Sequence, residues 1–281
     1  MKINSNVGIL VFAYNRPSHL RRVLISLEDY KIQKINIILD GPKNKKDIIC
    51  QKEIQSIIFG KNNIKINFIH RKKNLGLAKS ITSALDKFSK VYENLIIIED
   101  DCIPRKEFFK FTLASLKKFQ SDISIGAICG YQLPEIQINN HRNMEIYKLN
   151  YFIPWGWSIW SKNWTEFRKQ KNGIFNKKNL LYKIKSKVIK KLLKNKKKTN
   201  DIWSLKFIIF NYINNKKYIF PSKSQIKNIG FDGSGINSKV TDKFSTQYFS
   251  SKQINFKKIK IDKKIEKKQE KILLKKINYY Y

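Results

Sequence analysis

The chain is 281 residues long, 42% hydrophobic and 13% aromatic, enough to bury a sizeable core and too much for a disordered chain. Its formal charge of +37 invites a polyanionic partner, but Lys, Ile and Asn are raised together, so part of that charge is background. The remainder sits in two segments: residues 177–198 hold eleven Lys and no acid, and residues 252–281 hold eleven Lys against three acids.

In chain order, residues 8–13 (GILVFA) form a continuously apolar run, as expected of a strand buried on both faces. Pro17 and Ser18 open a helix whose Leu20, Val23, Leu24 and Leu27 share one face. Strands are expected at 35–39, 64–69, 95–98 and 125–129, with helices at 77–91 and 108–119. Strands alternating with helices predict a mostly parallel α/β sheet flanked by helices, with right-handed crossovers. The second half is less regular. It has an aromatic stretch at 151–164 (YFIPWGWSIWSKNW), a basic amphipathic helix at 179–193, an apolar helix at 202–213, a Gly-rich loop at 228–235 (NIGFDGSG) and a Lys-rich tail. The expected division is a catalytic domain over 1–245, with a nucleotide-binding half at 1–130 and an acceptor half at 131–245, followed by a mobile tail at 246–281.

Ligands of a parallel sheet bind beyond the carboxyl ends of its strands. Those ends carry Tyr14-Asn15-Arg16, then Asp40-Gly41, then His70 to Asn74, then Glu99-Asp100-Asp101. Three consecutive carboxylates repel one another unless a cation screens them, and their hard oxygens suit Mg²⁺ or Mn²⁺. Their other reading is a cap on the helix that follows. Cys50, Cys102 and Cys129 have neither disulfide nor zinc spacing, no apolar run reaches 18 residues, and no signal peptide is evident. A cytoplasmic protein without a spanning helix is the expectation.

The segments VFAYNRPSHLRRVLISL, IIIEDDCIP, PWGWSIW and NIGFDGSG together resemble the GT-A nucleotide-sugar glycosyltransferases, and more narrowly family-2-like enzymes and the N-acetylglucosaminyltransferase I group. The resemblance implies a GT-A (Rossmann-like) fold and transfer of a sugar from a nucleotide-diphosphate donor. It implies that Asp101 ligates Mn²⁺ or Mg²⁺, that Asp100 lies near the donor's ribose or sugar, and that Glu99 positions the strand end. Asp40 would meet the base. Ala13, Asn15, Arg16, Lys73, Asn74 and Gly76 would line the nucleotide, and Trp155, Gly156 and Trp157 the sugar and acceptor. Relatives often place a His shortly after the glycine loop, where Asn237 stands here, so no second protein ligand to the metal is expected. The catalytic base is Asp201 or Asp232, with Asp201 preferred.

The expected reaction is inverting transfer from a nucleotide sugar, UDP-linked by preference, to a glycan or lipid-linked acceptor in surface polysaccharide synthesis. The basic helix would either face solvent or lie on an anionic membrane. Nucleic acid is not an expected partner. The alternatives are a non-catalytic polyanion- or membrane-binding protein, which the acids at the sheet edge oppose, and a nucleotidyltransferase, which would carry a Gly-rich phosphate loop after the first strand.

Overall fold

In the computed structural model, β1 (Val7–Ala13) has β2 (Lys34–Leu39) on one side and β4 (Asn94–Glu99) on the other, both parallel to it. The structure describes residues 3, 5–30, 32–60, 63–136, 144–170, 184–194, 203–235, 240, 241, 244, 254–260 and 263–280. β3 (Lys65–His70) extends the parallel set beyond β2. Leu10, Val11, Ile37, Ile38, Ile96 and Ile97 are all fully buried, so the apolar runs are central strands with both faces covered.

The crossovers are α1 (Pro17–Glu28), α2 (Lys45–Phe59) and α3 (Leu77–Phe88). α1 starts on Pro17 and buries Leu20, Val23, Leu24 and Leu27 as the spacing predicts, together with His19. α2 begins at Asn44, whose side chain accepts from the amide of Asp47 at 2.9 Å. Its inward face carries Asp47, Gln51, Ile54 and Ile58, so the apolar stripe is broken by two polar residues one turn apart. The sequence pattern missed this helix for that reason.

The other half of the sheet is mixed. A short ribbon pairs β5 (Cys102–Pro104) with β10 (Ile226–Asn228). α4 (Phe108–Lys118) leads to β6 (Ile125–Cys129), followed by β7 (Met144–Leu149) and β8 (Trp157–Trp160). β8 runs antiparallel between β4 and β6, so the aromatic stretch supplies an inner strand. α5 (Ser161–Lys169), α6 (Lys187–Lys194), α7 (Trp203–Ile213) and β9 (Lys217–Pro221) follow. Among the described residues nine strands share one sheet in the order β11 (Ile254–Lys260)-β7-β9-β6-β8-β4-β1-β2-β3, a mostly parallel, Rossmann-like sheet flanked by helices, as the GT-A resemblance implies.

One expectation is corrected. Part of the presumed mobile tail is folded: β11 (Ile254–Lys260) pairs with β7, and α8 (Lys263–Tyr280) buries Gln269 and Leu273.

Candidate active site

The carboxyl ends of β1 and β4 are adjacent, and the chain places Arg16 just past the first and Glu99-Asp100-Asp101 at the second. Arg16 donates through Nη2 to Asp100 Oδ1 and, at 2.8 Å, to Asp101 Oδ2. The Tyr14 amide donates to Asp100 Oδ2 at 3.3 Å and the Cys102 thiol to Asp101 Oδ1 at 3.3 Å. Burial, then the charges of Asp101 and Asp100, push Glu99 up to about 8. Burial raises Asp100, Arg16 pulls it back, and the balance is about 6. Crowded carboxylates with one guanidinium between them carry excess negative charge.

The ribbon of β5 and β10 lays the glycine loop over this cluster. Asn228 pairs with Cys102, and the Ile229 amide donates to the Asp101 carbonyl at 2.9 Å. A Cβ on Gly230 would fall 2.1 Å from Asp101 Oδ2, so only glycine allows the backbone this close. Two residues on, Asp232 Oδ2 lies 3.1 Å from His19 Nε2, one turn beyond Arg16 on α1. Burial raises Asp232, but the hydroxyl and amide of Ser234 and the charge of His19 hold it below the usual carboxylate range. Its side chain is 47% exposed, so it is open to a substrate. α1 therefore ties both the acidic cluster and the loop.

The neighbouring strand ends are knitted differently from expectation. Asp40 is buried at the end of β2, and its carboxylate accepts from Gly41 at 3.1 Å, Leu75 at 3.0 Å and Gly76 at 2.9 Å. Asn74 donates to the Gly41 carbonyl at 2.7 Å and accepts from the Gly76 amide at 3.1 Å. The structure thus brings Asp40, Asn74 and Gly76 together, but bonded to one another. An ionised carboxylate offers about four lone-pair sites, and three amides of the loop occupy part of that set on Asp40. Lys73 is exposed beside them, and the Ala13 carbonyl accepts from the Asp40 amide at 3.1 Å.

Asp47 was not anticipated. From α2 it accepts from Tyr14 Oη at 2.5 Å, Asn15 Nδ2 at 2.7 Å and the Lys43 amide at 2.9 Å. Burial raises its carboxyl, but these bonds bring it below the usual range. Gln51, one turn further, donates to the carbonyls of Tyr14 at 3.1 Å and Asp40 at 2.8 Å. Asn15, expected to line the nucleotide, has its side-chain amide donating to Asp47. Two polar residues at i and i+4 on the inward face of an otherwise apolar helix were the available signal.

Trp157 was expected near sugar, but the structure places it in the core, 1% exposed and stacked 5.5 Å from Trp203. Trp160 and Trp164 are buried as well. Gly156, at φ 62°, turns the chain so that Trp155 lies half-buried beside the glycine loop, its ring 5.3 Å from Phe231. A Cβ on Gly156 would lie 2.3 Å from Ile226, so this glycine packs against β10. Asp201 and Asn237 lie outside the described residues.

The family model for glycosyl transferase family 2 matches residues 8–186, about two thirds of the chain. The chain belongs to glycosyl transferase family 2. In this family-2 chain the matched span contains Arg16, the three acids and Trp155, while the glycine loop falls beyond it. No match is found among curated proteins. Among solved structures the chain is similar to a mannosyltransferase from Pyrobaculum calidifontis in complex with GDP-Man and Mn²⁺, at 14% identity and a TM-score of 0.39. That match covers 56% of this chain and 45% of the other, so the family-2 chain spans less than half the length of that structure.

The donor set of this site fits a divalent cation. Asp101 is more exposed than Asp100, and both offer hard oxygens with a single arginine between them. Among the described residues no three His, Cys, Asp or Glu close around a metal. A cation here would take Asp101 and complete its sphere with water and phosphate oxygens, the usual habit of Mg²⁺.

Proposed function

We propose that this family-2 chain is an inverting glycosyltransferase that moves a hexosyl or N-acetylhexosaminyl group from a nucleotide-diphosphate sugar to a glycan or lipid-linked acceptor in surface polysaccharide synthesis. UDP is the favoured nucleotide. The observation that carries the reading is the carboxylate cluster at the end of β4, bridged by Arg16 and roofed by Gly230. The IIIEDDCIP and NIGFDGSG segments support the narrower kinship with the N-acetylglucosaminyltransferase I group.

Asp101 would hold Mn²⁺ or Mg²⁺, whose contribution is to offset charge on the diphosphate leaving group. Arg16 supplies a second cation at the same edge. Ala13, Asn15, Asp40, Lys73, Asn74 and Gly76 form the two loops that shape the nucleotide side, and Trp155 supplies the aromatic face for sugar or acceptor. Asp100 and Glu99 fix the strand end.

For the base we favour Asp232, which is exposed, held ionised and seated on the loop above Asp101. Asp201 is the competing carboxylate. The base takes the proton of the acceptor hydroxyl as that oxygen bonds to the anomeric carbon, and the bond to the diphosphate breaks with its electron pair on the departing phosphate oxygen. One base suffices, and inversion follows from attack opposite the leaving group.

A thermal-shift screen of nucleotide sugars with and without Mn²⁺ tests the reading. One UDP-sugar should raise Tm only when the metal is present. A set of donors that never shifts Tm under either condition would remove it.

A further inference from the structure

The C-terminal helix α8 sorts its residues by charge around its axis. Lys263, Lys264, Lys267, Lys268, Lys271 and Lys275 are all exposed. At 3.6 residues per turn they fall within an arc of about 140°. Gln269 and Leu273 lie opposite that arc and are fully buried. The two acids of the helix are already engaged: Glu266 pairs with Lys217 at 2.5 Å, and Glu270 accepts from Tyr151 Oη at 3.1 Å. Nothing acidic on α8 interrupts the stripe, which runs about 18 Å along the axis at 1.5 Å per residue.

The helix is fixed to the body by several bonds. Gln269 donates to the Tyr151 carbonyl at 3.4 Å, Lys191 on α6 donates to the Leu274 carbonyl at 2.9 Å, and Tyr151 Oη also meets Ser186 Oγ at 2.8 Å. Lys187 at the start of α6 and Lys185 two residues before it are exposed as well. The contacts of both helices therefore converge on Tyr151, four residues in sequence from Trp155.

We propose that the lysine face of α8 is a docking surface for an anionic lipid bilayer, bound by charge without insertion. Among the described side chains of α8, Leu273 is buried and Ile265, Ile272 and Leu274 pack on the core, so none of these four is free to enter hydrocarbon. A single lysine-covered helix face suits a plane of headgroups. Double-stranded nucleic acid is the poorer fit, because the stripe holds no arginine to fork onto phosphates or bases. Near an anionic surface each lysine strengthens binding about fivefold. The surface adds to the proposed function a place where a lipid-linked acceptor is met, yet adsorption needs neither donor nor metal, so the two readings can fail separately.

The test is co-sedimentation of the full chain with phosphatidylcholine vesicles, with and without phosphatidylglycerol. Binding should require phosphatidylglycerol, disappear near 1 M salt, where the screening length falls to about 3 Å, and persist in Asp101→Ala. Replacing Lys264, Lys267, Lys268 and Lys271 together by Gln should weaken it about a hundredfold or more, whereas replacing the same four by Arg should preserve it. Changing Lys34, Lys52, Lys65 and Lys117, which are exposed elsewhere, to Gln removes the same net charge and should alter binding only a few-fold. Equal loss in that control, binding to pure phosphatidylcholine, or release from vesicles by stoichiometric duplex DNA would each overturn the proposal.

Discussion

Arg16 Nη2 sits 2.8 Å from Asp101 Oδ2, so the side chain assigned to the metal is held by a guanidinium from the next strand end. The same arginine reaches Asp100, and it is the cation that makes the cluster tolerable in a folded chain. Removing one partner of a largely buried ion pair leaves charge uncompensated, which costs about 3–5 kcal/mol. Arg16→Ala should therefore lower stability in urea by about that amount. Millimolar Mg²⁺ or Mn²⁺ should return part of it, because a cation at Asp101 replaces the missing charge. An unchanged midpoint in the variant would count against the electrostatic role given to Arg16.

Asp47 has no proposed contact with substrate, yet it anchors the loop between β1 and α1. Asp47→Ala strands the Tyr14 hydroxyl, the Asn15 amide and the Lys43 amide, each orphan costing about 1–3 kcal/mol if it stays buried. Water will reach some of them, so a total near 2–4 kcal/mol is expected from denaturant melts. Tyr14→Phe removes one bond and should cost about 1 kcal/mol. Donor affinity should fall in Asp47→Ala more than turnover at saturating donor, since the loop shapes a binding surface. A pure loss of kcat would contradict this.

The glycine loop should respond to volume rather than to chemistry. Gly230→Ala drives a methyl into Asp101 Oδ2 unless the loop retreats. Activity with Mn²⁺ should drop tenfold or more while the denaturation midpoint moves little, because the loop lies at the edge of the sheet. Activity within twofold of wild type would show that loop and acid are not coupled.

The two tryptophans flanking Gly156 should separate. Trp157→Ala opens a cavity among Phe152, Trp203 and Phe207 and should cost about 3–5 kcal/mol. Trp155→Ala should leave stability within about 1–2 kcal/mol and raise KM for the acceptor or donor. Differential scanning calorimetry beside steady-state kinetics distinguishes them.

The parallel half was legible because buried parallel strands are continuous apolar runs, and β1, β2, β4 and α1 fall within a residue or two of expectation. The acids at the end of β4 were legible for the same reason, since polar residues directly after such a run must lie at the sheet edge. α2 was not, because Asp47 and Gln51 occupy its inward face and blur the helical period. Of the two tryptophans expected beside the sugar and acceptor, Trp157 lies in the core instead. Indole rings suit both sugars and cores, and only the strand alternation of β8 decides which way each one points. Asp40 stands at the end of β2 as expected, but nothing local reveals that the amides of Leu75 and Gly76 converge on it from about 35 residues away. The lysines of the C-terminal segment were visible as composition, and their sorting onto one face depends on where α8 packs.

The most direct measurement is isothermal titration calorimetry of UDP into wild type and Asp101→Asn, each with and without Mn²⁺. In wild type the metal should tighten UDP binding at least tenfold, about 1.4 kcal/mol, and Asp101→Asn should lose that increment while keeping its metal-free affinity. An increment that survives intact in Asp101→Asn would mean that the diphosphate is not gripped through the acid at the end of β4.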